Sequence, residues 1–220
     1  MTIEQQRKYL DDLLESVTDH KKQLFANVIQ QRTRYLTVVL EDIYQPQNAS
    51  AVLRTADCLG IQDVHIIENK NEYVLNPEVT LGSSKWLTIY RYNQNKDNSL
   101  AAIKRIKEQG YRIVAAMPHK YNVLLEEMDT NQKSALFFGT ELNGLSPTVQ
   151  EHADLFVKIP MYGFTESYNI SVSAAIFLHY LTNKIRKENN NWKLDESELL
   201  EIKIKWAESI VIKPKERNIL

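Results

Sequence analysis

The sequence predicts an α/β domain with a mostly parallel sheet and helices on both faces, extended at each end by helical segments. Two observations carry that prediction. From Tyr35 to Arg186, short and nearly continuous apolar runs alternate with amphipathic helical stretches, the pattern of strands covered on both sides by helices. Before Tyr35 and after Arg186 only helical spacing remains. With 220 residues the chain can bury a substantial core, so one main domain with additions is expected.

Residues 4–31 read as two helices. Tyr9, Leu10, Leu13, Leu14 and Val17 recur at helical spacing in the first. Thr18 can cap the second, where Leu24, Phe25, Val28 and Ile29 form an apolar stripe and Lys21, Lys22, Arg32 and Arg34 lie at the ends. Strands follow at Leu36–Leu40, Val64–Glu68, Leu87–Tyr92, Arg112–Met117, Ala135–Phe138 and Phe156–Ile159, with helices at Ala49–Leu59, Leu100–Gln109 and Asn169–Arg186 between several of them. A polar stretch, Lys187–Lys193, leads to a last amphipathic helix near Asp195–Ile210 and a basic tail, KPKERNIL. The expected units are a helical extension at 1–34, the α/β domain at 35–187 and a helical extension at 188–220.

Composition bounds the setting. Hydrophobic residues at 43% with 25% charged describe an ordinary globular chain. No run approaches the roughly 20 apolar residues of a membrane span, and the polar N-terminus lacks a signal-peptide core. One cysteine, Cys58, excludes an intrachain disulfide framework and suits a reducing cytoplasm. The net charge of −1 does not exclude nucleic acid, because binding depends on local basic patches. The five histidines are scattered, so no metal is expected.

Three segments carry chemistry. A glycine-rich turn usually follows the first strand of a nucleotide-binding α/β domain. Here the first strand runs instead into EDIYQPQNASAVLRTADCLG, which argues against an ordinary Rossmann methyltransferase or dehydrogenase. In that segment Asn48 is a good N-cap and Gly60 a good helix stop, while Arg54 projects from a face other than the apolar one. The second segment, FFGTELNGLSP, takes a buried strand into a turn with two glycines, and Ser146-Pro147 starts a helix. Main-chain groups of such a turn can bond an adenine or ribose. In the third, IPMYGFTESYNISVSAA, polar Ser167, Asn169 and Ser171 cluster where a long apolar helix begins, more of them than capping alone requires.

In this order and spacing the segments resemble the three motifs of the SpoU-type (SPOUT-class) RNA ribose methyltransferases. Asn48, Ser50, Ala51, Arg54 and Thr55 match the first motif; Phe138, Gly139, Glu141, Gly144 and Leu145 the second; Ile159, Pro160, Met161, Ser167, Asn169, Ser171 and Ala174 the third. Tyr168 and Ile170 stand where the motif usually has leucine and valine. The resemblance covers roughly Tyr35 to Arg186. The terminal helices and the LGSSKW stretch at 81–86 are most similar to the TrmH branch, the tRNA (guanosine-18-2'-O)-methyltransferases.

That resemblance implies a trefoil knot near the carboxyl end of the domain, against the usual rule of unthreaded connections. It implies S-adenosyl-L-methionine as cofactor, a homodimer, and a ribose 2'-hydroxyl of tRNA as the methyl acceptor. Alternatives are rRNA or another tRNA position, or a catalytically silent RNA-binding dimer. The expected catalytic residues are Arg54, Asn48, Glu141, Ser167 and Asn169, with Asn48 orienting Arg54 or the ribose. The cofactor is expected against Ala116, Met117, Gly139, Glu141, Gly144, Ile159, Met161, Ser167 and Tyr168. RNA contacts are expected at Lys21, Lys22, Arg32, Arg34 and Arg54, with Lys203, Lys205, Lys213, Lys215 and Arg217 as further basic residues of the C-terminal extension.

Overall fold

A computed structural model describes residues 1–211 except Leu75, Asn122, Leu142 and Asn189. In chain order the elements are α1 (Ile3–Glu15), α2 (Asp19–Ile29), β1 (Leu36–Glu41), α3 (Pro46–Cys58), β2 (Asp63–Ile67), α4 (Pro77–Thr80), β3 (Thr88–Tyr92) and α5 (Asn98–Glu108). Then follow β4 (Arg112–Ala116), β5 (Val123–Leu124), β6 (Ser134–Phe138), α6 (Pro147–His152), β7 (Leu155–Lys158), α7 (Ile170–Glu188) and α8 (Glu196–Val211). The chain divides into two compact units, Arg34–Trp192 and a smaller one of Met1–Thr33 with the residues from Lys193 onward. The basic tail with Lys213, Lys215 and Arg217 lies outside the described residues.

In the larger unit seven strands lie in the order β3-β2-β1-β6-β4-β7-β5, and every recorded strand pair is parallel. All six strands expected from the sequence are present. The seventh, β5, is two residues long, too short for any periodicity to reveal, as are the four-residue α4 and the 3-10 turn at Ser83–Lys85.

The apolar side chains of the central strands alternate between two cores. Val38 and Leu40 of β1 and Leu136 and Phe138 of β6 meet Val52, Leu53 and Ala56 of α3 and Phe177, Leu178 and Leu181 of α7. On the other face Val39, Ala135 and Phe137 meet Ala102, Ile103 and Ile106 of α5 and Val149 of α6. Helices thus cover both faces, which explains why β1 and β6 are buried along their whole length.

In the smaller unit α1 and α2 pack on α8. Phe25 meets Trp206 with ring centroids 5.3 Å apart, and the Tyr9 hydroxyl donates to Glu208 at 3.1 Å. The Arg32 guanidinium lies over the Trp206 ring at 5.4 Å, and the residue is 2% exposed. This corrects its expected role as an RNA contact, because a buried guanidinium on an indole face cannot reach a phosphate.

Two buried polar groups tie strand ends to the elements around them. Glu41, at the end of β1, accepts from the Ser146 backbone N–H at 2.8 Å and hydroxyl at 2.7 Å, and from the Ser99 hydroxyl. It therefore anchors the starts of α5 and α6 together. His65, in the middle of β2 and fully buried, sits with Nδ1 2.9 Å from the Tyr92 hydroxyl and its ring stacked on Tyr90 at 4.8 Å. Burial, and next the charge of Arg105, lower its pKa from 6.5 to about 3.

His65 therefore stays neutral in the folded chain at pH values where the unfolded chain has protonated it. Between its ordinary 6.5 and about 3 the unfolded state binds the extra proton, so stability falls as pH falls through that window. Denaturant titrations at steps of pH are expected to show this loss, with His65 contributing at most about 1.4 kcal/mol per pH unit. His65→Phe, which keeps the ring stack, is expected to flatten the acid-side slope relative to wild type. An equal slope in the two proteins would refute the assignment.

Candidate active site

All nine residues expected to hold the cofactor line one cavity of about 270 Å³. Ala116 and Met117 come from the end of β4, Gly139, Glu141 and Gly144 from the turn after β6, and Ile159, Met161, Ser167 and Tyr168 from the segment between β7 and α7. Three adjacent parallel strands release their chains at the same edge, which is where such sheets bind ligands. Sequence reading missed Pro118, His119, Thr140, Asn143, Ser173 and Phe177, which also line the cavity. Most belong to the same turns, and only the fold shows that Phe177, two turns into α7, faces inward.

The turn after β6 has one permitted shape. Thr140 and Gly144 exchange backbone hydrogen bonds at 3.0 and 2.9 Å, closing the loop on itself, and Gly144 has a φ of +65°. A Cβ at Gly139 would collide with the Gly144 carbonyl and the Leu145 nitrogen. Only glycine lets the chain return so close to its own backbone, and Gly139, Thr140 and Gly144 of the closed turn line the cavity.

The three motif segments meet at one carboxylate. Glu141 Oε1 accepts from Asn48 Nδ2 at 2.9 Å and from Asn169 Nδ2 at 2.6 Å, and Asn169 Nδ2 also reaches Asn48 Oδ1 at 3.2 Å. Asn169 Oδ1 accepts from the Ser171 backbone N–H at 2.9 Å and hydroxyl at 2.6 Å, so it caps α7 as well. Asn48 does not cap α3 as expected. The helix begins two residues earlier at Pro46, with Gln45 as N-cap residue, which frees the Asn48 amide to bond Gln45 Oε1 and Glu141.

Nor does Asn48 touch Arg54. Six helical residues separate them, which turns their side chains about 120° apart on α3. Arg54 is exposed and, among the described residues, makes no hydrogen bond, ion pair or ring contact, whereas every other described arginine has a partner. Arg34 is one of those others. Its Nε lies 3.1 Å from Asp63 with the side chain 12% exposed, so its expected RNA contact is corrected to a structural ion pair. Lys22 pairs with Asp19 at 3.3 Å at the surface, and Lys21 is partly exposed on the same helix. Among the described residues no group of three or more His, Cys, Asp and Glu is placed to hold a metal ion. None of the described helices is long and apolar enough to cross a membrane.

Against known proteins, residues 35–179 match the model of the SpoU rRNA Methylase family. A Borreliella burgdorferi protein named tRNA (guanosine(18)-2'-O)-methyltransferase is 48% identical over 204 residues, covering 93% of this chain and 92% of its own. An Aquifex aeolicus protein of the same name is 31% identical over 207 residues, covering 92% and 96%. The crystal structure of the A. aeolicus TrmH/SpoU tRNA modifying enzyme is similar with a TM-score of 0.79 at 30% identity, over 89% of this chain and 98% of that one.

The closed turn yields a direct test. Gly139→Ala is expected to force the Thr140–Gly144 bridge open and displace turn residues that line the cavity. Calorimetric titration with S-adenosylmethionine is expected to show binding weakened at least about tenfold, roughly the 1.4 kcal/mol of one good hydrogen bond. Unchanged affinity in a folded Gly139→Ala protein would show that the turn does not hold the cofactor.

Proposed function

The chain belongs to the SpoU rRNA methylase family, and we propose that it transfers the methyl group of S-adenosylmethionine to the 2'-hydroxyl of guanosine 18 in tRNA. The observation that carries this reading is the joining of a loop-lined cavity to the Arg54 helix through the Glu141 carboxylate. The nucleotide is supported by relatives of that name whose similarity runs over more than nine-tenths of this chain. A silent RNA-binding protein would need no such set as Asn48, Arg54, Glu141, Ser167 and Asn169 together.

The residues that line the cavity fit the cofactor in chemistry. Its lining combines apolar side chains such as Met117, Ile159, Met161 and Phe177 with residues of the closed turn, Gly139, Thr140 and Gly144. Such walls suit an adenosine, whose polar edge takes backbone hydrogen bonds while its ring lies on apolar surface. When bound, the cofactor supplies a methyl group activated by its sulfonium. The protein's work is position and electrostatics. The chain passes through these loops in the trefoil knot that the family resemblance implies.

Arg54 is the residue that acts on the substrate in this reading. A guanidinium stays charged, with a pKa above about 12, so it is a poor general base. As a cation it holds a phosphate of the RNA and stabilises negative charge building on the 2'-oxygen, while the proton leaves to phosphate or water. The Glu141 group acts through others. It fixes the start of α3, and so the place from which Arg54 extends, relative to the cavity. Lys21 and Lys22 remain as the phosphate contacts of the N-terminal helices.

A second copy of the chain covers the groove between α3 and α7. Ala51, Thr55, Val172, Ala175, Ile176 and Tyr180 line this open apolar groove, with Val172 45% exposed. Leu178 and Leu181, on the opposite side of α7, are spent in the core. Val172→Asp with Ile176→Asp is expected to convert a dimer to monomer in sedimentation; a monomeric wild type would refute the dimer.

The function is tested by incubation with labelled cofactor and separate pools of unmodified tRNA and rRNA, followed by nucleoside analysis. Label is expected in 2'-O-methylguanosine at position 18 of tRNA, and label in rRNA or none at all would overturn the reading. Within it, Arg54→Ala is expected to lower methyl transfer by at least about 100-fold, the scale of losing one electrostatic stabiliser. S-adenosylmethionine affinity is expected to be unchanged. Loss of cofactor affinity with turnover retained would reverse the roles assigned to Arg54 and the loops.

A further inference from the structure

We propose that the rings of Tyr162 and Phe164, with Tyr44 and Tyr168, form a stacking surface for unpaired bases of the RNA beside the methylated nucleotide. The inference rests on the function proposed above and adds a contact with the bases to its contacts with phosphate and ribose. Large aromatic side chains are ordinarily buried over most of their surface. Here Tyr162 is 95% exposed and Phe164 fully exposed, with Tyr44 at 78% and Tyr168 at 43%. Single exposed apolar residues need no explanation, but three rings within one loop do.

Their place is the mouth of the cavity. Met161, Ser167 and Tyr168 of the loop between β7 and α7 line the cavity, so Tyr162 and Phe164 stand on the segment that rims it. Tyr44 adjoins the Glu141 group in sequence. Its neighbour Gln45 accepts from Asn48, and Asn48 meets Asn169, the residue after Tyr168. Tyr168 is also a departure of this chain, since the third motif usually carries leucine there.

The reaction demands a ligand at that spot. A 2'-oxygen must come within about 3–3.5 Å of the transferred methyl. The target nucleotide then sits in the mouth, with the bases on either side of it over the rim. A base lifted out of its stack loses its neighbours, and aromatic side chains replace them; Phe and Tyr serve this purpose in single-stranded RNA recognition. The loop suits this better than it suits a protein partner. It interleaves its rings with Gly163, Thr165 and Glu166, whereas the contiguous apolar surface lies elsewhere, in the α3–α7 groove.

The test compares Tyr162→Ala with Phe164→Ala, combined in one protein, against a ring-keeping variant, Tyr162→Phe with Phe164→Tyr. Unmodified tRNA transcript binding, S-adenosylmethionine titration and sedimentation are measured on each. Each ring removed is expected to weaken tRNA binding roughly tenfold. Cofactor affinity and oligomeric state are expected to stay as in wild type, and the ring-keeping variant to bind tRNA near the wild-type level. If wild type methylates tRNA and the double alanine variant binds it equally well, this inference falls and the function stands. Loss of tRNA binding together with dissociation into monomers would assign the rings to a second copy and overturn the inference. A wild type that neither binds nor methylates tRNA would remove both readings.

Discussion

One carboxylate holds the site together. Glu141 accepts amide hydrogens from Asn48 and Asn169, residues separated by 121 positions in sequence. Each donor belongs to a different helix start, α3 for Asn48 and α7 for Asn169, and Glu141 itself rides the turn after β6. Geometry at this point is unforgiving. Asn48 is 8% exposed, so an amide left without its acceptor there would cost about 1–3 kcal/mol rather than merely forgo a gain. The cavity, which Glu141 lines, and the Arg54 helix, which carries Asn48, are therefore fixed relative to each other by this one contact.

The sheet makes this meeting possible. Parallel pairing brings the ends of β1, β6 and β7 to one edge, so that the segments following them converge however far apart they lie in sequence. Glu41 adds a second constraint below the turn: it grips Ser146 just beyond Gly144 and Leu145, which pins the far end of the turn that Gly139 begins. Between these two anchors the backbone closes on itself through Thr140 and Gly144. Backbone groups held this way do not have to be ordered when a ligand arrives, which is how a loop binds well without charged side chains.

The sequence-based reading succeeded where periodicity is long and failed where it is short or where a side chain has two physical options. The buried strands and the amphipathic helices were legible because both faces of the sheet must be covered. The two residues of β5 carry no period. Asn48 has the chemistry of a cap, but Pro46 starts the helix earlier and turns that chemistry toward Glu141. Arg32 and Arg34 look like solvated charges at a helix end; an indole face and Asp63, neither adjacent in sequence, take them instead. The nine cavity residues were found as a group because motif resemblance, unlike periodicity, carries long-range information. The joining of Asn48, Glu141 and Asn169 was not legible, since spacing along the chain says nothing of which amide meets which carboxylate.

Arg54 is best understood by contrast with the other arginines. Glu68 holds Arg91 in a two-pronged pair, Asp129 holds Arg112, and Trp192 covers Arg186. A cation so held must give up its partner before it can act on a substrate. Arg54 has nothing to give up among the described residues, and its exposure means that only water must be displaced. In the proposed reaction the side chain would be ordered by the substrate itself, at the moment when a phosphate and a developing alkoxide are both at hand. The helix beneath it is rigid, tied at its start to Glu141 and packed through Val52, Leu53 and Ala56 into the core. On the proposed function, a fixed base with a free tip would let one guanidinium serve binding and catalysis in succession, because among the described residues no carboxylate of the protein holds it.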